Sequence, residues 1–330
     1  MVLPAVCAPM MLVSGPALVG EACKGGIMAG LPRHNARTTE EFEQWLAAIR
    51  ADLSAHSQAN PGARIGPLAV NLNGGRPPAE LRQDLAICSR YGVEVIISAM
   101  GNPAELTKVV HDWGGKIFHD VVNMRFAAKA IEAGVDGLTC IGSGGGGHSG
   151  TLNALAFIPR VREIWDGTII YAGNVSTGSA IRSAEVLGAD LAYLGTRFIA
   201  TQESLADSRY KSFLVSESAC DLIYTDRVSG LAANWLKASL RDAGLDPDNL
   251  APSPGFRRYD HLPDEVRPWR DIWSAGQGIE LIRDIPTVAD LVRRLRREYV
   301  AACETPNMAS VARLVDQALN HKEQSAWPST

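Results

Sequence analysis

Residues Asp136 to Gly150 read Asp-Gly-Leu-Thr-Cys-Ile-Gly-Ser-Gly-Gly-Gly-Gly-His-Ser-Gly, a short apolar run that leads into a loop with almost no side chains. Glycine lacks a Cβ atom, so the loop backbone can adopt positive φ and can approach a flat ligand closely. His148 is the first bulky side chain after the glycines, and imidazole exchanges protons near neutral pH. We therefore expect this loop to hold a proton-transfer group against a bound cofactor. The alternative is a flexible turn with a solvated histidine.

On both sides of this stretch, short apolar runs alternate with segments of helical period. The runs that we interpret as strands are Val2–Met10, Gly25–Leu31, Gly66–Leu72, Val93–Ser98, Lys116–Asp120, Gly137–Thr139, Thr168–Ala172 and Leu191–Leu194. Eight strand-then-helix units in about 200 residues predict an α/β fold, a (β/α)8 barrel. A doubly wound sheet is the main alternative, but it does not normally need eight such units.

The alternation stops after Thr201. We expect residues 203–272 to form a smaller, mainly helical inserted lobe, with helices at 204–215 and 230–243, that shapes the substrate site. Residues 1–202 and 273–330 are expected to form the barrel with C-terminal helices, at 279–285, 287–299 and 308–321, where apolar residues recur at helical spacing.

The composition excludes several classes of function. A formal net charge of −4 over 330 residues gives no electrostatic case for nucleic acid or an anionic membrane as partner. Neither an export signal nor a membrane-spanning run is recognisable. The six cysteines are scattered, with no zinc-type spacing, so we expect unpaired thiols in the cytoplasm and no metal site.

In a barrel, ligands bind where the strands end, so the residues that follow each strand should meet at one mouth. The polar and glycine-rich positions expected there are Met10, Asn71, Ser98, Lys116, His148, Gly173, Asn174, Gly195 and Thr196. The segment 174–178 precedes a helix and Gly195-Thr196 follows the eighth strand, so both together predict a phosphate site; the alternative is two ordinary turns.

Three further side chains allow two interpretations each. Lys116 could stabilise negative charge on a reduced ring or could be an ordinary surface lysine, and Asn71 could bind a heterocycle or cap a turn. His119 is a second candidate for the barrel mouth. Cys140 is expected to be structural, because nothing in the sequence near it would activate a thiolate.

These residues together resemble the nitronate monooxygenases, FMN-dependent (β/α)8 TIM barrels that are related to flavin-dependent enoyl-ACP reductases. The matching segments are Ala8-Pro9-Met10, Val70-Asn71-Leu72, the strand that starts at Lys116, Gly146-Gly147-His148-Ser149-Gly150, Ala172-Gly173-Asn174 and Gly195-Thr196. The resemblance implies that FMN contacts Ala8, Pro9, Met10, Asn71, Lys116, Gly146, Gly147, Gly173, Asn174, Gly178, Tyr193, Gly195 and Thr196. Tyr193 stands where the family usually has glutamine, and Ile141 and Gly144 also depart from the family pattern.

The resemblance implies a flavoprotein that oxidises alkyl nitronates or nitroalkanes with O2 to a carbonyl compound and nitrite, with His148 as the base. An NAD(P)H-dependent quinone or enoyl-thioester reductase on the same FMN barrel is the nearest alternative. An inosine-monophosphate-dehydrogenase-like barrel and a non-catalytic flavin-binding protein are the others. The sequence determines neither the physiological substrate nor the oligomeric state. A homodimer is compatible with it.

Overall fold

Eight parallel strands close into a barrel in the computed structural model, which describes residues 1–304, 313 and 315–317. The strands are β1 (Ala5–Cys7), β2 (Met28–Pro32), β3 (Leu68–Asn73), β4 (Val95–Ala99), β5 (Lys116–Val121), β6 (Gly137–Ile141), β8 (Thr168–Ala172) and β9 (Leu191–Leu194). They follow one another around the barrel in chain order, and β9 pairs with β1 to close it. The predicted TIM barrel is confirmed, and β8 and β9 have the predicted bounds.

Helices connect successive strands, and polar caps begin several of them. Their bounds are α1 (Pro16–Lys24), α2 (Thr39–Ala59), α3 (Pro78–Arg90), α4 (Ala104–Asp112), α5 (Met124–Glu132), α6 (Ala154–Arg162) and α7 (Gly178–Val186). Thr38, Asn123 and Thr177 each accept a backbone N–H of the first helical turn through the side-chain oxygen. Such caps satisfy donors that a helix start otherwise leaves unpaired.

Alternation along the strands creates two apolar layers. One face of each strand packs against the helices in a large core, and the other face points into the barrel. The buried residues that fill the barrel interior are Val6, Met28, Ala69, Val95, Ile97, Phe118, Ile170 and Leu191. This packing closes the barrel from below, so a ligand can enter only at the carboxyl ends of the strands.

The insertion after the barrel is less helical than predicted. It follows α8 (Thr196–Ile199) and contains α9 (Ser208–Ser216), β10 (Leu222–Thr225), β11 (Ala233–Leu236) and α10 (Lys237–Asp242), with irregular structure thereafter. The helix expected at 230–243 is wrong over its first half. That half contains β11, which pairs antiparallel with β10 and with β7 (Gly147–His148), so tertiary pairing overrides the local helical pattern.

The C-terminal part of the described chain packs back on the barrel, as predicted. The helix expected at 279–285 is wrong, because a 3-10 turn spans Gln277–Leu281 and the chain from 282 to 287 is irregular. The helix expected at 287–299 is present as α11 (Val288–Cys303), which packs against α1 and α7. Of the helix expected at 308–321, only residues 313 and 315–317 are described, and they are helical. Among the described helices, none combines the length and the apolar character needed to cross a bilayer.

Candidate active site

A cavity of about 630 Å³ opens at the carboxyl ends of the barrel strands, between the barrel and the insertion. Most of the residues predicted to bind a cofactor lie on its wall: Ala8, Pro9, Met10, Asn71, Gly146, Gly147, Gly173, Asn174, Tyr193, Gly195 and Thr196. His148 lies there too. Segments far apart in sequence therefore meet in one place.

The glycine loop is held in place rather than flexible. Asn234 on β11 donates from Nδ2 to the Gly145 carbonyl at 2.8 Å, and the Gly147 N–H donates to Ser274 Oγ at 3.1 Å. A Cβ on Gly146 would lie 3.0 Å from the Gly276 backbone nitrogen, so only glycine fits without a shift of the neighbouring chain. The alternative interpretation of this stretch as a flexible turn is wrong, because β7 and β11 form a ladder here.

His148 has a defined hydrogen bond and two aromatic neighbours. Its Nε2 lies 3.1 Å from Ser229 Oγ, and the Ser229 hydroxyl donates to the Leu231 carbonyl at 3.1 Å. A hydroxyl has one proton, so Ser229 Oγ must accept from Nε2–H, which leaves the lone pair on Nδ1. The Trp269 ring stands edge-on to the imidazole at 5.2 Å, and the Phe256 ring lies at 6.0 Å.

The surroundings of His148 keep it neutral. Burial, with a smaller contribution from the positive charge of Arg257, lowers the pKa of His148 to about 4. Desolvation disfavours the imidazolium because a charge loses its hydration in an apolar site. At neutral pH the side chain is therefore an unprotonated base with one free ring nitrogen.

The segment that follows β8 offers backbone donors to the cavity. Asn174 adopts positive φ (57°), a conformation that asparagine tolerates, and its Nδ2 donates to the Ser143 carbonyl at 3.3 Å. Within the described part of the chain, the backbone N–H groups of Val175 and Ser176 on the cavity wall have no protein acceptor. Successive free N–H groups of this kind suit an anion such as a phosphate.

Thr196 closes this side. Its Oγ1 accepts the Gly276 N–H at 2.8 Å and ties the segment after β9 to the chain that follows the insertion. A Cβ on Gly195 would meet nothing nearer than 3.7 Å, so the cavity is open at that point.

Lys116 is not at this site, contrary to the prediction. It is the first residue of β5, so it lies at the amino end of the strand, on the far side of the barrel from the cavity. Its Nζ forms an ion pair with Asp136 at 2.9 Å, and 61% of its side chain is exposed. The surface-lysine interpretation is the correct one.

Gly178 and His119 also differ from expectation. Gly178 begins α7 under α11, and its N–H donates to Glu298 Oε2 at 2.8 Å, so it serves helix packing and is not on the cavity wall. His119 faces outward from β5, where Nδ1 lies 2.7 Å from Ser98 Oγ and burial lowers its pKa to about 4. Ser98, expected at the mouth, faces outward with it.

Asp120 is a cavity residue that the motifs did not indicate. It stands near the carboxyl end of β5 and lines the cavity, and its buried Oδ1 has no hydrogen-bond partner in the described part of the chain. Burial raises its pKa to about 7, against a smaller lowering effect of the Thr139 hydroxyl. Strand alternation could have found it, because Phe118 and Asp120 share the inward face.

Two arginines line the cavity mouth, and one of them has no counter-charge within the part of the chain that the structure describes. Arg76 is balanced by an ion pair with Glu80 at 2.7 Å and another with Asp84. Arg257 stacks over Phe256 and, among the described residues, has no carboxylate partner. A cavity with an unbalanced cation and a neutral imidazole favours an anionic ligand.

Cys140 faces the helices and is buried, and burial raises its pKa to about 12, so its thiol stays protonated at neutral pH. In the part of the chain that the structure describes, His, Cys, Asp and Glu side chains form no group of three that could hold a metal ion.

Comparison with known proteins gives a consistent result. Residues 60–298 match the family model for nitronate monooxygenase. The nitronate monooxygenase of Paraburkholderia phytofirmans is 27% identical, over 91% of this chain and 93% of that protein. Nitroalkane oxidase from Streptomyces ansochromogenes has a similar fold, with a TM-score of 0.76 at 23% identity over 92% and 98% of the two chains. FabK from Thermotoga maritima has a TM-score of 0.68 at 22% identity over 92% and 94%. The chain therefore belongs to the nitronate monooxygenase family of flavin-dependent oxidoreductases.

Proposed function

We propose that the protein binds FMN and uses O2 to oxidise alkyl nitronates, or the parent nitroalkanes, to a carbonyl compound and nitrite. The observation that supports this most is a neutral histidine on the wall of a cavity that also carries backbone N–H groups with no acceptor among the described residues. Bound FMN would supply the redox chemistry, and the protein supplies orientation, electrostatics and proton transfer.

The cavity fits a flavin mononucleotide. The glycine-lined wall lets a flat ring approach the backbone, and the N–H groups of Val175 and Ser176, with Gly195 and Thr196, would hold the phosphate. Asn71 donates to the Ile97 carbonyl at 3.1 Å, which leaves its carbonyl oxygen on the cavity wall as an acceptor for a ring N–H. The buried, unpartnered Oδ1 of Asp120 indicates that a polar partner belongs there.

His148 acts as the base when the substrate arrives as a neutral nitroalkane. Its Nδ1 takes the proton α to the nitro group, while Nε2–H stays bonded to Ser229 and keeps the ring oriented. Trp269 and Phe256 shield the imidazole from water, so the base is unprotonated at neutral pH. A base with so low a pKa gives little driving force, so the anionic nitronate should be the better substrate.

The unbalanced charge of Arg257 at the cavity mouth favours the same substrate. A nitronate carries one negative charge, and Arg257 would attract it toward the cavity without meeting a charged imidazole inside. The proposed substrate is thus an anion with an apolar body, which suits the methionine, tyrosine and tryptophan side chains of the wall.

The test is direct. The purified protein should be yellow, should hold FMN after gel filtration, and should release nitrite from ethyl nitronate in air. His148→Asn should keep FMN but lose turnover of nitroethane; unchanged turnover with FMN bound would rule out the assigned base. Anaerobic mixing with NADH tests the reductase alternative, because rapid bleaching of the flavin would favour that activity over nitronate oxidation.

A further inference from the structure

We propose that Asp120 binds the ring of the cofactor as a neutral carboxylic acid that donates a hydrogen bond from the floor of the cavity. The inference deepens the proposed function and rests on FMN as the ligand. It concerns the carboxyl end of β5. The sequence analysis expected Lys116 at the cavity, and the structure has the carboxyl group of Asp120 there instead.

The position of Asp120 makes it a ligand-facing group. Phe118, two residues earlier on β5, belongs to the barrel interior, so Asp120 faces inward one step nearer the mouth. Thr139 is its register partner on β6. Asp120 Oδ1 and Thr139 Oγ1 are both shielded from solvent, and neither lies within hydrogen-bond distance of a partner among the described residues, although they stand on neighbouring strands. Buried polar atoms normally have partners, so the unpartnered Oδ1 of Asp120, which lines the cavity, indicates a missing ligand.

The surroundings of Asp120 do not support a carboxylate. An ionised carboxyl in a buried site needs a cation or two to three donors. Among the described residues no cation acts on Asp120, and the Thr139 hydroxyl lowers its pKa by less than burial raises it. Tyr193 on β9 is the ionisable neighbour, and its own pKa is raised by burial and by Asp120. The protonated acid avoids this cost and can donate a hydrogen bond to the ring of the ligand.

A neutral carboxylic acid and a lysine can both stabilise electron density on the ring, but they do so in different ways. A lysine would attract electron density on the ring by its charge, whereas a carboxylic acid offers one directed hydrogen bond without burying a net charge. The donor is lost when Asp120 ionises, so FMN binding should depend on the protonation of this one group. The other ionisable side chains that line the cavity are His34, Arg76, His148, Tyr193, Tyr210, Arg257 and Tyr259.

FMN titrations with fluorescence readout test this. The wild type, Asp120→Asn, Asp120→Ala and the exposed control Asp112→Asn are compared between pH 6 and pH 8. With a pKa of about 7 for Asp120, the protonated fraction falls about tenfold over this range. The ratio of wild-type to Asp120→Asn affinity should fall severalfold, with about tenfold as the limit when the ionised form binds no FMN, and the ratio cancels the titration of the FMN phosphate. Asp120→Ala, which has no donor, should bind about fivefold more weakly than Asp120→Asn at pH 6.

Infrared difference spectra give a second readout. FMN binding should shift a protonated-carboxyl band in the wild type and in Asp112→Asn, and no such band should move in Asp120→Asn. Parallel pH profiles for the wild type and Asp120→Asn, or an unchanged band, would overturn the assignment while FMN binding itself stands. A wild type that binds no FMN would instead overturn the proposed function. Asp120→Asn is nearly isosteric, so its comparison with the wild type decides the question even when Asp120→Ala does not fold.

Discussion

Replacement of Ser229 by alanine isolates the role of one hydrogen bond in proton transfer. The variant removes the acceptor for His148 Nε2–H and leaves the imidazole in place between its aromatic neighbours. The tautomer with a free Nδ1 is then no longer favoured over the other one, and the imidazole ring loses the hydrogen bond that orients it. We therefore expect Ser229→Ala to slow only the steps in which His148 takes a proton.

The size of the effect follows from the charge that develops on the ring. A hydrogen bond between neutral groups contributes about 1 kcal/mol, and one to a charged group about 2 kcal/mol. As Nδ1 takes the proton, the Nε2–H bond to Ser229 changes from the first kind to the second. Its loss should cost about 1 kcal/mol in the transition state, which is about a fivefold fall in kcat.

The assay compares two forms of one substrate. Nitrite release at pH 7 is measured with nitroethane, which needs proton abstraction, and with ethyl nitronate, which does not. Ser229→Ala should lower kcat about fivefold with nitroethane and less than twofold with the nitronate. Ser212→Ala, an exposed serine on α9, is the matched control and should change neither.

The pH profile adds an independent check. Ser229 stabilises the imidazolium, so its removal should move the acid limb of the nitroethane profile to lower pH. Equal losses with both substrates would mean that Ser229 shapes the cavity rather than the base. No loss with either would refute the tautomer assignment.

Three other predictions concern the base and residues outside the cavity. Because the pKa of His148 is depressed to about 4, nitroethane turnover should be present above about pH 5 and be lost as pH falls through 4, with the initial rate as the measurement. Lys116→Met should leave the FMN dissociation constant within about twofold and lower the free energy of unfolding by at most about 1 kcal/mol in urea titrations, since the lysine belongs to an exposed ion pair. Gly178→Ala places a Cβ 2.2 Å from the backbone of α11, so calorimetry should show a lower Tm while FMN affinity per folded molecule is retained; an unchanged Tm would contradict the packing role.

The barrel could be predicted from the sequence because each strand carries its own signal. Thr168–Ala172 and Leu191–Leu194 are short apolar runs bounded by polar or glycine residues, and the structure has these bounds. The glycine-rich segments after the strands were also recognisable, since their composition suits close backbone approach. They lie on one cavity wall because the barrel brings all its strand ends together.

The errors arose where position along a strand matters more than residue type. Lys116 and Val121 are separated by five residue steps of about 3.3 Å, so a charge at the start of β5 lies roughly 16 Å from its mouth end. His119 and Asp120 are adjacent, yet alternation sends one outward and the other into the cavity. Because Phe118 points into the barrel, the two-residue alternation of a strand places Asp120, and not His119, on the same inward face.

The insertion could not be predicted because its strands depend on distant partners. β11 is a four-residue segment whose neighbours on either side are β10 and the end of the glycine loop. Nothing local distinguishes it from the helix that follows. Ser229, Phe256 and Trp269 reach His148 only because this pairing brings the insertion over the barrel.

The ladder between β7 and β11 joins His148 directly to the insertion (residues 203–272), which forms the roof of the cavity. Any displacement of the roof carries the imidazole with it, so admission of a substrate and alignment of the base are coupled events. Grafting a different roof onto this barrel would consequently require replacement of the segment that carries His148 as well.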